Sequence, residues 1–254
     1  MKTLDGRKLS KKILKNLEIE IKAKKLKLKL AVILVGKDRV SEIFTLEKQK
    51  ACEKIGIDFK LFRFSSKIKL VEFKKEIKKI ANNHFISGIV IQLPLPKHLD
   101  SQEVFNLIPF KKDIDILSEL GIGKFYTGMS PIIPPTVQGI NHLFKEYRIP
   151  LKGKNIVVVG KGRLVGCPSV LWLLKQKSTV IAVDKFVKDI SFFTKNADII
   201  ISGTGNPNLI TNKMIKKGVV LIDAGTCQQG DKLMGDIDTK SVSKKANYIS
   251  PVPG

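Results

Sequence analysis

One rhythm restricts the fold of this chain more than any other feature. Short, β-branched apolar runs alternate with segments whose apolar residues recur at helical spacing. In the first half, residues 28–35 (LKLAVILV), 58–64 and 88–92 read as strands. Residues 40–55 and 68–81 read as the helices between them, and Gly56 stands where a left-handed C-cap belongs. Upstream, Leu9, Ile13, Leu17 and Ile21 set a further amphipathic helix over about residues 6–25. Parallel strands need a crossover of roughly a dozen residues, and these helices supply it. The rhythm therefore predicts βαβ units and a parallel sheet.

The second half repeats the pattern, with strands at 155–159 (NIVVV), 179–183, 197–202, 219–223 and 248–249. Between residues 108 and 135 the pattern lapses. Pro109, Gly121, Gly123, Gly128, Pro131, Pro134 and Pro135 interrupt any long element there. Residues 136–147 resume as a helix, with Thr136 as its expected N-cap. The chain thus reads as α/β with two domains. An N-terminal βαβ domain spans 1–118, a junction spans 119–135, and a C-terminal Rossmann-type parallel-sheet domain spans 136–254.

Composition narrows the functional classes. Hydrophobic residues make up 43% of the 254, enough for a core in each domain. No apolar run approaches the ~20 residues of a membrane span, and residues 1–10 lack the apolar stretch of a signal peptide. A cytoplasmic protein without a membrane partner is expected. Cys52, Cys167 and Cys227 are odd in number and form no CxxC pair, which fits a reducing compartment. His84, His98 and His142 show no ligand spacing, so no metal site is expected. The net charge of +23 suggests nucleic acid, yet only five of the 46 basic residues are arginine. Lysines such as Lys74, Lys75, Lys78 and Lys79 are spread along helices. They read as a solvated surface that attracts small polyanions, with no specific nucleic-acid partner.

Open α/β sheets bind ligands outside the carboxyl ends of their strands, so polar residues there are the functional candidates. Residues 88–96 read GIVIQLPLP. Gln92 ends the apolar run, and Pro94 and Pro96 exclude further ladder bonds. On the helix at 40–55, Phe44 and Lys48 lie four residues apart and share a face. The segment KKDIDIL supplies Asp113 and Asp115. An aromatic ring, an amine, an amide and a carboxylate are thereby directed toward one cleft. In the second half, GKGRLVG at 160–166 follows one strand and precedes a helix. It is GxGxxxG rather than GxGxxG. In that context Gly160, Lys161, Gly162, Val165 and Gly166 are candidates to hold a dinucleotide's diphosphate. The next strand ends in Asp184 and Lys185, at about the distance a ribose requires.

Read in order, LVGKDRVSEIFTLEKQKAC, GIVIQLPLP, KKDIDIL, VVVGKGRLVGCP, GTGNP, LIDAGT and YISPVPG resemble the FolD family over nearly the whole chain. These are the bifunctional methylenetetrahydrofolate dehydrogenases and methenyltetrahydrofolate cyclohydrolases. The resemblance implies an N-terminal folate domain, a Rossmann domain binding NADP, a cleft between them, and a homodimer formed through the Rossmann domains. It places Lys48 on the family's catalytic lysine and Gln92 on the glutamine that supports it. Asp115 falls on the carboxylate that holds the pterin, and Thr226 on the position whose backbone meets the nicotinamide. Phe44, Pro251, Val252 and Pro253 fall on residues that line the folate. The implied activity is oxidation of 5,10-methylenetetrahydrofolate to the methenyl form, then hydrolysis to 10-formyltetrahydrofolate. Lys161 and Lys185 favour NADP through its 2′-phosphate, whereas Asp184 would favour NAD, the alternative cofactor.

The chain departs from the family's pattern at four places. Phe44 replaces a usual tyrosine, and Ile116 a usual glycine. Pro135, Thr136 and Val137 stand where the family has Cys-Thr-Pro. The sequence ends at Gly254, where family members continue into a returning helix. These departures leave a second reading open, a degenerate folate-fold protein with weak or single activity that acts as a binding or dimerising partner. They also predict a mobile end from about Ile249, weakened folate binding and a tendency to aggregate.

Overall fold

The computed structural model describes residues 1–229 and 232–252. It contains two compact units, one from Ser10 to Ile133 and one made of Met1–Leu9 with the chain from Pro134 onward. The chain opens with a two-residue strand, β1 (Lys2–Thr3), and a helix, α1 (Gly6–Ala23).

The first unit continues with β2 (Lys29–Val35), α2 (Arg39–Ile55), β3 (Asp58–Phe64), α3 (Leu70–Asn82), β4 (Gly88–Ile91), α4 (Gln102–Phe105) and α5 (Glu119–Thr127). Its sheet is parallel, with β2 central between β3 and β4. β2 and β4 are apolar on both faces because a parallel sheet is covered on both. Ile33 and Ile91 pack with Phe73 and Ile77 of α3, both fully buried. Each such side chain contributes about 1.5–3 kcal/mol of transfer free energy. Asp38 caps α2 by accepting from the Ser41 N–H at 2.8 Å, and Gly56 ends it at φ 80°.

Within the stretch expected to be a junction, α5 is a regular helix. Ser118 caps it by accepting from Gly121 N–H at 3.0 Å. Gly121 belongs there for packing, since a Cβ would lie 2.7 Å from an Asp113 carboxylate oxygen.

The second unit adds α6 (Pro135–Glu146), β5 (Asn155–Val159), α7 (Gly166–Leu173), β6 (Thr179–Val183), α8 (Ile190–Thr194), β7 (Ile199–Ser202), β8 (Val220–Asp223), β9 (Cys227–Gln229), β10 (Lys232–Met234), α9 (Thr239–Val242) and β11 (Tyr248–Ser250). Six strands form a parallel sheet in the order β1-β11-β8-β7-β5-β6, and β9 and β10 make a separate hairpin. Val157, Ile200, Leu221 and Ile249 are buried in its core. α6 starts earlier than expected. Pro134 is its cap and Pro135 opens the first turn, where a fixed φ and a missing N–H cost nothing; Thr136 is therefore not the N-cap. Ile249 and Ser250, expected to fray, are instead buried in β11, paired on one side with β1 and on the other with β8. Hydrogen bonding on both sides holds this strand. Among the described residues no helix is long and apolar enough to cross a membrane.

Candidate active site

Two elements of the first unit place Phe44, Lys48 and Gln92. Phe44 and Lys48 sit one turn apart on α2, with Lys48 Nζ 5.9 Å from the Phe44 ring centroid. The ring is exposed and can stack on a planar ligand. Gln92 lies one residue beyond β4, held there by its N–H donating to the Ile33 carbonyl at 2.9 Å. Its side chain is buried. Nε2 of Gln92 donates to the Leu93 carbonyl at 2.9 Å, and Ser41 Oγ donates to the same carbonyl at 3.2 Å. With the nitrogen so committed, Oε1 faces α2 and accepts from Lys48 Nζ at 2.9 Å.

The electrostatics of Lys48 follow from partial burial. Desolvation pulls its pKa below the ordinary lysine value, opposed by the nearby Asp115 carboxylate. Burial pushes the Asp115 carboxyl up to about 6, with Lys48 pulling it down and Asp113 adding a smaller upward push. An amine that sheds its proton more readily, beside a carboxyl titrating near 6, is suited to general acid–base work.

The structure separates the two aspartates of KKDIDIL. Asp113 is buried, and its oxygens are occupied by the local turn. They accept from Leu117 N–H at 3.1 Å, Ser118 N–H at 2.9 Å and Ser118 Oγ at 2.6 Å. Asp113 thus builds the loop that carries Asp115, and Asp115 is electrostatically coupled to Lys48. Ile116, directly after Asp115, turns the chain at φ 55°, an unusual conformation for a β-branched residue.

In the second unit, the glycine-rich loop joins β5 to α7. Gly160 has φ 95°, and a Cβ there would lie 2.6 Å from the Gly203 carbonyl oxygen. A Cβ on Gly166 would lie 1.9 Å from the Gly160 carbonyl oxygen, and Val165 packs directly on Gly203. Gly162 faces open space. The loop is closed tightly beneath and open above, so these residues fit a dinucleotide's diphosphate.

At the end of β6, Lys161 Nζ pairs with Asp184 at 2.8 Å. The hydrogen bond from Lys161 and the Phe186 backbone N–H hold the Asp184 carboxyl below its ordinary pKa. Lys185 is exposed, its Nζ 5.3 Å from the Phe186 ring centroid. The Thr226 carbonyl oxygen lies beside Gly205, 3.5 Å from where a Cβ would be. Pro251 and Val252 follow β11 directly and are half-buried. Pro253 lies outside the described residues.

The sequence reading missed Ser41, whose hydroxyl ties α2 to the segment after Gln92. Its position seven residues before Lys48, on the same helix, was the available signal. It also missed Gly203, which stands in the quoted GTGNP segment and receives both Val165 and Gly160.

Residues 4–115 match the family model described as the tetrahydrofolate dehydrogenase/cyclohydrolase catalytic domain, and residues 134–254 match its NAD(P)-binding domain. A protein named bifunctional protein FolD from Hydrogenobaculum sp. is 41% identical, covering 100% of this chain and 92% of its own length. Its namesake from Nautilia profundicola is 43% identical, covering 100% and 91%. The solved structure of the bifunctional FolD dehydrogenase/cyclohydrolase from Campylobacter jejuni superposes with a TM-score of 0.94 at 36% identity, covering 100% of this chain and 92% of that one. The Trypanosoma brucei enzyme, solved with NADP cofactor and an inhibitor, gives a TM-score of 0.93 at 29% identity over 98% and 90%. With both domain models matched in order along one chain, this protein belongs to the tetrahydrofolate dehydrogenase/cyclohydrolase family.

Proposed function

We propose that this protein oxidises 5,10-methylenetetrahydrofolate to 5,10-methenyltetrahydrofolate with NADP, and then hydrolyses that product to 10-formyltetrahydrofolate. The observation that carries the reading is the Lys48–Gln92 hydrogen bond at 2.9 Å, with Lys48 partly desolvated and coupled to Asp115.

The two steps make different demands on the chain. NADP, when bound, supplies the hydride acceptor, and for that step the chain needs mainly to orient the folate. Phe44 stacks on the ring system, and Asp115 as a carboxylate accepts hydrogen bonds from the pterin's amino and ring nitrogens. Hydrolysis needs proton transfer as water adds to the electrophilic methenyl carbon and the ring opens. Lys48 takes and returns that proton. Gln92 does not titrate; it holds Lys48 and orients water. Gly160, Lys161, Gly162, Val165, Gly166 and Thr226 hold the dinucleotide. Lys185 meets the 2′-phosphate, and pairing with Lys161 offsets the repulsion from Asp184. Pro251, Val252 and Pro253 are assigned to the folate by family resemblance, as are the homodimer and the cytoplasmic setting. The domain limits 1–118, 119–135 and 136–254 remain part of the same reading. The binding-only alternative is not favoured, because lysine, amide and carboxylate are all retained.

The test is a coupled assay on the purified protein with 5,10-methylenetetrahydrofolate and NADP or NAD. Cofactor-dependent appearance of methenyl absorbance, followed by its conversion to 10-formyltetrahydrofolate, is expected. Tight folate binding with neither conversion would overturn the reading in favour of the binding-only protein.

A further inference from the structure

Two carboxylates unused in the mechanism lie buried near the carboxyl ends of β7 and β8. Asp223 is the last residue of β8. Its Oδ1 accepts from Asp236 N–H at 3.0 Å and Gly225 N–H at 3.2 Å, and its Oδ2 accepts from Ile237 N–H at 2.9 Å. Burial pushes its carboxyl up to about 6; these three N–H groups pull it down, and the nearby Asp236 adds to the upward push. Asp223 thus pins the chain returning from the β9–β10 hairpin, which brings in Asp236.

Asp236 is fully buried. Its Oδ2 accepts two donors, Ser202 Oγ at the end of β7 and Thr204 N–H in the turn that follows, each at 2.7 Å. Its Oδ1 has no hydrogen-bond partner among the described residues, and lies 2.0 Å from where a Cβ on Gly225 would be. Burying a carboxylate costs several kcal/mol unless hydrogen bonds offset it, and here those bonds come from the end of β7 and the 203–206 turn it leads into. That turn is bounded on both sides by the proposed dinucleotide site. Gly203 and Thr204 pack on Gly160 of the glycine-rich loop, and Gly205 packs beside the Thr226 carbonyl. Thr204 Oγ1 completes the turn by accepting from Asn206 N–H at 3.1 Å.

We propose that Asp236 is a positioning residue for the dinucleotide: by holding Ser202 Oγ and Thr204 N–H, it fixes the 203–206 turn between Gly160 and Thr226 and so sets the slot the nucleotide enters. The inference rests on the reading of that loop as the NAD(P) site. The carboxylate itself does not touch the ligand.

The experiment is calorimetric titration of the whole protein and of Asp236→Ala, Asp236→Asn and Ser202→Ala with NADP, and separately with 5-formyltetrahydrofolate as a probe of the first unit. Asp236→Ala should weaken NADP binding by about tenfold or more, the scale of a lost hydrogen bond to a charged group, with affinity for the folate probe unchanged. Asp236→Asn keeps an oxygen for both donors and should stay within about threefold of the unmodified protein, while Ser202→Ala, losing one donor, falls between. In turnover, KM for NADP should rise more than kcat falls. Unchanged NADP affinity in Asp236→Ala overturns the proposal, and so does an equal loss of folate affinity. Should Asp236→Ala fail to fold, Ser202→Ala with unchanged affinity, or Asp236→Asn weakened tenfold, overturns it instead. If the unmodified protein binds neither NADP nor NAD, the site reading fails and takes this inference with it. Binding in the unmodified protein that survives in Asp236→Ala refutes the inference alone.

Discussion

Lys48 donates to the side-chain oxygen of Gln92 at 2.9 Å, and Gln92 spends its own nitrogen on the Leu93 carbonyl. The amide therefore presents a fixed, neutral acceptor to a titratable amine. Gln92→Glu replaces it with a carboxylate, which favours the protonated lysine. The hydrolytic pH–rate profile of Gln92→Glu should shift to higher pH by about one unit or more, read by following methenyl decay across pH. An unshifted profile would mean that the titration of Lys48 does not govern this step.

Asp115 should trade stability for binding. Its carboxyl is raised from 3.8 to about 6, chiefly by burial. The folded state holds this proton more tightly than the unfolded state, so the resulting stability is complete below about pH 4 and is lost as pH rises through about 6. Asp115→Asn carries no charge to desolvate. It should be more stable than the unmodified protein by about 1–2 kcal/mol near pH 8, after allowance for partial exposure and the lost attraction to Lys48. The gap should close toward pH 4. Folate affinity should fall sharply in the same variant, and in the unmodified protein it should weaken as pH drops below about 6. Melting curves at several pH values check the first part and folate titration the second.

Cofactor choice turns on the Lys161–Asp184 pair. Asp184→Ser removes the carboxylate that repels a 2′-phosphate and releases Lys161 toward it. NADP affinity should rise severalfold while NAD affinity falls, and the gain should shrink in high salt. A tenfold preference for NAD in the unmodified protein, about 1.4 kcal/mol, would contradict the assignment of NADP.

Ile116 sets a backbone cost against a packing gain. A left-handed conformation costs an L-residue about 1–2 kcal/mol, yet the side chain is only 3% exposed. Removing a buried isoleucine side chain costs about 2–5 kcal/mol, so packing wins. Ile116→Gly should lower stability by about 1–3 kcal/mol in urea denaturation. A more stable variant would mean that strain in the turn carrying Asp115 outweighs the contacts of the side chain.

The parallel sheets were legible because strands covered on both faces must be apolar throughout. β2, β4, β5 and β7 carry that signature over runs of three to six residues. Helix α5 was not legible. Gly121 and Gly123 argue against a helix locally, and only the packing of Gly121 on Asp113 explains one of them. β1 and the β9–β10 strands are too short to show any period. In the candidate site, polar residues at strand ends pointed to Gln92, and helical spacing joined Phe44 to Lys48. Periodicity could not separate Asp113 from Asp115, because what separates them is the loop's N–H groups closing on one and not the other. Asp236 was invisible for the same reason, since its partners lie more than thirty residues away.

The central claim is that Lys48 serves hydrolysis more than hydride transfer, and Lys48→Met tests it most directly. Methionine keeps much of the aliphatic length and removes the proton. With folate binding confirmed by titration, the two rates are measured separately, methenyl formation with NADP and decay of added methenyltetrahydrofolate. Hydrolysis should fall by at least about a hundredfold, the low end of general acid–base contributions, while measurable hydride transfer persists. Equal loss of both rates with folate binding intact would contradict this division of labour.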